Sequence, residues 1–145
     1  VKIGEQVGYG GTWTATRDSL IGVIPIGYAA GYPIGVGADA HGQGAYVHVV
    51  GGRNAESIGE APVIGAVCMD QIAIDLTDLP KNKLSIGIGV ELLSQKPGSK
   101  ASLSNVAIAA GVVPHAVISR ISSSKVRRTY RCEQLQVEFP SCNHL

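Results

Sequence analysis

The chain has 145 residues and a net charge of +1, with 45% hydrophobic against 16% charged residues. That is one globular domain's worth of sequence rather than a disordered one, and the near-neutral balance gives no long-range attraction to nucleic acid or an acidic membrane. Cys68, Cys132 and Cys142 are odd in number and irregularly spaced, which excludes a disulfide framework or a zinc set by spacing and suits reduced thiols in the cytoplasm. In chain order, Val1 to Tyr9 and Thr12 to Thr16 read as two strands joined through Gly10-Gly11. Arg17-Asp18-Ser19 reads as a turn, and Leu20 to Ile26 as a short apolar strand buried on both faces. Leu20 to Ala38 holds five Gly and two Pro, too broken for a membrane helix, so Gly27 to Gly44 is expected to be a long loop of the functional kind.

Ala45 to Val50, Arg53 to Ser57, Ala61 to Val67, Gln71 to Leu76 and Ile86 to Ser94 are further expected strands. Gly51-Gly52 is a hairpin signal, and Leu79 to Lys83 and Gln95 to Lys100 are polar connections. The period then changes. Ser102 is placed to cap a helix through Ala110 that Gly111 stops, and Pro114 suits the first turn of a second short helix. Lys125 to Cys132 and Gln134 to Phe139 are expected as closing strands, the first a solvated basic edge through Lys125, Arg127, Arg128 and Arg131. The sum is a mainly β chain, expected as a small β-barrel domain over residues 1–145 with two short helices near its C-terminus. The start at Val1, almost inside the first strand, suggests a piece cut from a longer protein.

Three stretches stand out. In Val7-Gly8-Tyr9-Gly10-Gly11-Thr12-Trp13-Thr14-Ala15, a phenol sits between glycines, which lets another chain or a ligand approach the backbone closely. Gly27-Tyr28-Ala29-Ala30-Gly31-Tyr32-Pro33 and Val67-Cys68-Met69-Asp70-Gln71 follow. Alone, the first is a β-bulge with a half-buried Tyr, and Cys68 and Met69 are core filling. His41, His48, His115 and His144 are too scattered to propose a metal site, and no phosphate loop or dinucleotide fingerprint is present.

Together, in this order, the three stretches resemble the C-terminal β-domain of alanine racemase over residues 1 to about 131. The resemblance implies a pyridoxal-phosphate enzyme that interconverts L- and D-alanine, with the cofactor carried on a lysine of an N-terminal barrel that this chain lacks. It implies a head-to-tail homodimer in which each β-domain lies over the second subunit's barrel and completes its site for a small amino-acid substrate. Tyr9 matches the family's catalytic Tyr, one of two bases on opposite faces of the substrate. Since a free phenol has a pKa of about 10, such a base needs nearby positive charge or hydrogen bonds that favour phenolate. Met69 matches the Met whose backbone N–H binds the substrate carboxylate, and Tyr28 the Tyr of the inner approach to the site.

Departures from the family pattern are Ala30 for Asp, Ile34 for Arg and Ala66 for Arg, all expected along the approach to the site. Pro114-His115-Ala116 replaces a stretch whose Tyr touches the cofactor phosphate. His115 there can donate to a phosphate or stand as a plain surface histidine. Serine or broad-range racemisation is an alternative activity, since pocket changes move selectivity between small side chains by only ~1–3 kcal/mol. Two others are a related decarboxylase, against which Met69 separates Cys68 from Asp70, and a non-catalytic β-barrel binding or dimerisation module.

Overall fold

A computed structural model describes residues 1–38, 44–51, 56–121 and 126. The expected strands over Lys125 to Cys132 and Gln134 to Phe139 lie outside the described residues, apart from the single residue Val126. The described chain is mainly β with two short helices late in the sequence, as its pattern implied.

A small hairpin opens the chain. Strand β1 (Gln6–Val7) pairs antiparallel with β2 (Trp13–Thr14), in register Gln6 to Thr14 and Val7 to Trp13. These strands are shorter than expected because Gly8 leaves the β region at φ 84° and Tyr9–Gly11 turn as a 3-10 helix. Flanking bonds extend the hairpin, Gly4 N–H to Ala15 O at 2.7 Å and Ala15 N–H to Glu5 O at 2.9 Å. Arg17 then ties the turn to the neighbouring sheet through Asp78 at 2.6 Å.

The main sheet has five antiparallel strands: β3 (Ile21–Ile24), β4 (Tyr46–Gly51), β5 (Glu56–Ile64), β6 (Ile72–Asp75) and β7 (Gly89–Glu91). Their spatial order is β3-β6-β5-β4-β7. Strand β5 absorbs the end of one expected strand and the start of the next. Gly59, at φ 156°, makes no break there and instead accompanies a bulge, since Val49 pairs with Gly59 but Val50 with Ser57. Strand β7 keeps only three residues of the nine expected.

Two expectations are corrected. Strand β3 is not buried on both faces. Among the described strands it lies at an edge, and Val23 is 64% exposed. Nor do the described strands close into a barrel. The edges β3 and β7 are separated by an apolar groove of about 740 Å³, lined from both sides by Ile21, Ile24, Leu84, Ile86 and Ile88.

The core lies between the sheet and the helices. Val47 and Val49 from β4, Val63 from β5 and Ile72 and Ile74 from β6 are buried. Val106 and Ala107 of helix α1 (Leu103–Ala109) and Val117 of helix α2 (Pro114–Ser119) meet them. Ser102 caps α1 by accepting from Asn105 N–H at 3.3 Å, and Gly111 ends that segment at φ 64°, as read from the sequence. Residues 27–38, the described part of the expected loop, pack against the core. Two 3-10 turns, Tyr28–Ala30 and Ile34–Val36, bury Ala30, Tyr32 and Val36, and Ala38 bridges to Ile64. No helix among the described residues is long and apolar enough to cross a membrane.

Candidate functional site

The site forms where three backbone turns meet. Cys68-Met69-Asp70-Gln71 is a tight turn before β6, closed by Cys68 N–H donating to Gln71 O at 2.9 Å. On one side the hairpin tip packs against the chain leaving β5. A Cβ on Gly8 would lie 2.9 Å from Ala66 N, and one on Gly65 would lie 2.8 Å from Val7 O. Only glycine fits either position, and both have positive φ. On the other side Gly27 packs against the carbonyl of Cys68, which a Cβ would strike. That approach lets Tyr28 N–H donate to Cys68 O at 3.1 Å and Ala29 N–H to Met69 O at 3.0 Å.

The result is an open cleft of about 470 Å³ lined by Gly8, Tyr9, Cys68, Met69, Asp70 and Gln71. Tyr9 and Met69, far apart in sequence, thus share one cleft, and Tyr28 is bonded to the same turn. All three point outward: Tyr9 is 72% exposed, Met69 53% and Tyr28 43%. The Met69 N–H donates to no group among the described residues, which leaves it available to an acceptor in the cleft. The lining carries one carboxylate, Asp70, and no lysine or arginine, so nothing in it would hold a phenolate by charge. Cys68 is half-buried, its Sγ 3.7 Å from Ala66 O.

His115 does not join this group. It is exposed on the first turn of α2 and does not line the cleft. The three departures from the family pattern do not form one surface either. Ile34 is exposed, Ala66 half-buried and Ala30 buried. Ala30 faces inward because its turn is packed against the end of α2, where Gly31 abuts the Arg120 carbonyl. Sequence reasoning missed Asp70 and Gln71 as lining residues, although both stand in the motif beside Met69. It also missed the Gly8–Gly65 contact, which has no local sequence signal.

The buried phenol in this region is Tyr32, not Tyr9. Its hydroxyl has no hydrogen-bond partner among the described residues, and burial pushes its pKa well above the usual phenol range. A neutral, shielded Tyr32 is a packing residue.

Comparison with known proteins agrees with this architecture. An alanine racemase described as biosynthetic, from Pseudomonas aeruginosa, is 39% identical over 128 residues, covering 88% of this chain and 31% of that protein. The crystal structure of biosynthetic alanine racemase from the same organism superposes with a TM-score of 0.68 at 37% identity, over 86% of this chain and 30% of the other. A structure of alanine racemase from Bartonella henselae with covalently bound pyridoxal phosphate gives a TM-score of 0.65 at 29% identity, over 83% and 29% of the two chains. A protein of Enterococcus faecalis described as an amino-acid racemase is 46% identical over 83 residues, which is 57% of this chain but 10% of that protein. The chain therefore spans about a third or less of the relatives it matches. The sequence profile of the alanine racemase C-terminal domain matches residues 1–130, and the chain belongs to that family.

Proposed function

We propose that the chain is the C-terminal domain of a pyridoxal-phosphate-dependent racemase that interconverts L- and D-alanine. In this reading it presents Tyr9 as one of two opposed proton-transfer groups and completes a site whose remainder lies in its own N-terminal barrel and in a second subunit of a head-to-tail homodimer. The single observation that carries the reading is the shared cleft: Tyr9 and Met69 line the same space, held there by backbone packing, and the Met69 N–H has no partner among the described residues.

The described residues do not fit a resident cofactor. The cleft offers no lysine for the aldehyde and no cation for the phosphate, and Asp70 would oppose an anion there. Holding pyridoxal phosphate therefore falls to parts of the parent protein beyond this chain, and His115, outside the cleft, is not assigned to it. What this chain supplies is local. The Met69 N–H donates to a substrate carboxylate and fixes its orientation. The Tyr9 Oη gives or takes the substrate's α-proton on the face turned toward this domain. Tyr28, standing at the same turn, narrows the approach. A phenol that exchanges protons needs a cation or donor beside it, which this reading places in the partner's barrel.

A broader substrate range is the second reading. Ile34 and Ala66 put apolar groups where the family pattern carries arginines, and the Enterococcus relative is described by the wider activity. The test uses the full-length parent. Formation of D-alanine and D-serine from the L-forms is followed with and without Tyr9→Phe. Racemisation with a loss of at least ~100-fold in the variant, the scale of a lost general acid–base group, supports the reading. A Phe variant as active as the parent refutes the assignment of Tyr9. An inert, cofactor-loaded parent refutes the enzymatic reading as a whole.

A further inference from the structure

At the other end of β5 from Gly65, three polar side chains from three neighbouring strands form a continuous hydrogen-bonded relay. His48 Nδ1 lies 2.8 Å from Glu91 Oε2, and His48 Nε2 lies 2.8 Å from Ser57 Oγ. Lys96 Nζ lies 3.3 Å from the same Ser57 Oγ. The relay exists because of the bulge. His48 stands opposite Glu91 on β7, so the two share a face. The register slip between Val49 and Val50 sets Ser57, not Ile58, opposite Val50. That turns the Ser57 hydroxyl to His48's face; without the slip it would point to the other side.

Glu91, held below the usual carboxylate range by its bond from His48 and a second from Ser94, is ionised and can only accept. Nδ1–H therefore donates to Glu91, and in the tautomer with its proton on Nδ1 the ring presents Nε2 as an acceptor to the Ser57 O–H. The Ser57 oxygen in turn accepts from the Lys96 ammonium. His48 is buried and fixed, while Ser57 is exposed. A serine hydroxyl on Nε2, a carboxylate on Nδ1 and a solvent-accessible nucleophile make the arrangement that activates serine for acyl transfer. The Lys96 ammonium, 3.3 Å from the Ser57 oxygen, puts a positive charge beside the reacting atom.

We propose that Ser57 is an activated nucleophile, a second reactive centre of this domain, that takes acyl or dialkylphosphoryl groups from small activated esters. The Ser57 Oγ bonds to the carbonyl carbon, its proton passes to His48 Nε2, and that proton leaves with the departing alcohol. Water then attacks the acyl-serine, its proton again passing through Nε2, which releases the acid and restores the hydroxyl. With a dialkyl fluorophosphate the Oγ–P bond forms as the P–F bond breaks, fluoride leaves while the hydroxyl proton passes to His48 Nε2, and the dialkylphosphoryl-serine is stable. The centre is separate from the Tyr9 cleft: eight residues of extended chain between Ser57 and Gly65 span roughly 26 Å.

The experiment is labelling of the full-length parent by diisopropyl fluorophosphate, with the modified residue located by peptide mass spectrometry and the rate followed from pH 5 to 9. The charged groups facing His48 are Glu91, Lys96 and Glu60, the last already bonded to Ser99 Oγ and Lys100 N–H. Labelling is expected at Ser57, with a rate that depends on pH, because the step needs Nε2 free to take the Ser57 proton. His48→Gln should slow it by ~100-fold. Lys96→Met should slow it by ~10-fold and Lys96→Arg by much less, because the arginine keeps a positive charge beside the reacting oxygen. Absence of label at Ser57, label unchanged in Ser57→Ala, or a pH-independent rate that His48→Gln does not alter would each overturn the proposal. A purely structural relay would move the melting temperature in these variants but not the pH profile.

Discussion

Gly27 is the position where the fold and the site depend on the same atom. Its α-carbon packs against the Cys68 carbonyl, and an alanine Cβ would also lie 2.5 Å from Met69 O and 2.7 Å from Met69 C. All of these neighbours are backbone, so Gly27→Ala cannot be absorbed by a rotamer change. The Tyr28 turn must move off the 68–71 turn. Two hydrogen bonds then go, Tyr28 N–H to Cys68 O and Ala29 N–H to Met69 O, each contributing about 1 kcal/mol net. Displacing the turn also loosens the packing of Tyr32, so the expected loss is roughly 2–3 kcal/mol. For a chain of this size that is a fall in melting temperature of roughly 5–10 °C. The assay is urea and thermal unfolding of the variant beside Gly35→Ala. Gly35 has its nearest neighbour 3.6 Å from the would-be Cβ and no positive φ, so that control should be neutral or gain up to ~1 kcal/mol. A Gly27→Ala chain as stable as the control would refute the packing described for the site.

Three further outcomes follow from other parts of the structure. Tyr32→Phe removes a buried hydroxyl with no partner among the described residues and should leave stability unchanged or raise it by up to ~1 kcal/mol in urea unfolding. Ser102→Ala removes the α1 cap and should cost about 1 kcal/mol, read by the same titration. Glu91 has a lowered pKa from its bonds to His48 and Ser94, so its contribution is present above the ordinary glutamate pKa and is lost as pH falls through the lower folded value. Because the side chain is 41% exposed, the effect is small, under about 1 kcal/mol. Glu91→Gln should remove that part of the acid destabilisation, visible as a shallower fall in melting temperature below pH 4.5. An unchanged acid limb would show that the bond is not made in solution.

Much of this was legible in the sequence, and what was not has physical causes. Helix boundaries were readable because Ser102, Gly111 and Pro114 carry local chemistry for caps and stops. Strand identity was readable from β-branched runs, but strand burial was not. Leu20 to Ile26 is as apolar as a central strand, yet β3 ends the described sheet, and neighbours in space have no local signature. The described strands leave the expected barrel open, and the strands expected to close it lie outside the described residues. The Tyr9, Tyr28 and Met69 convergence was legible only through the ordered motifs, because what assembles it is contact between backbones at Gly8, Gly27 and Gly65. His115 was assigned from its place in an aligned stretch, and the structure leaves it outside the cleft because α2 ends, rather than begins, against the Tyr28–Gly31 turn. His48 was read as one of four scattered histidines, since a bulge-dependent register cannot be seen before strands are paired.

The cleft's outline is drawn almost wholly in main chain: glycine against carbonyl at Gly27, glycine against amide at Gly8, glycine against glycine where a Cβ on Gly37 would strike the Gly65 carbonyl. Such a frame separates two kinds of variation. Exchanges at Asp70 or Gln71 change the polarity of the cleft lining while leaving Tyr9 and the Met69 N–H where they are. A single methyl at any of the framing glycines shifts both at once. A library that randomises the exposed rim and holds Gly8, Gly27, Gly37 and Gly65 fixed should therefore yield altered substrate preference far more often than misfolded protein.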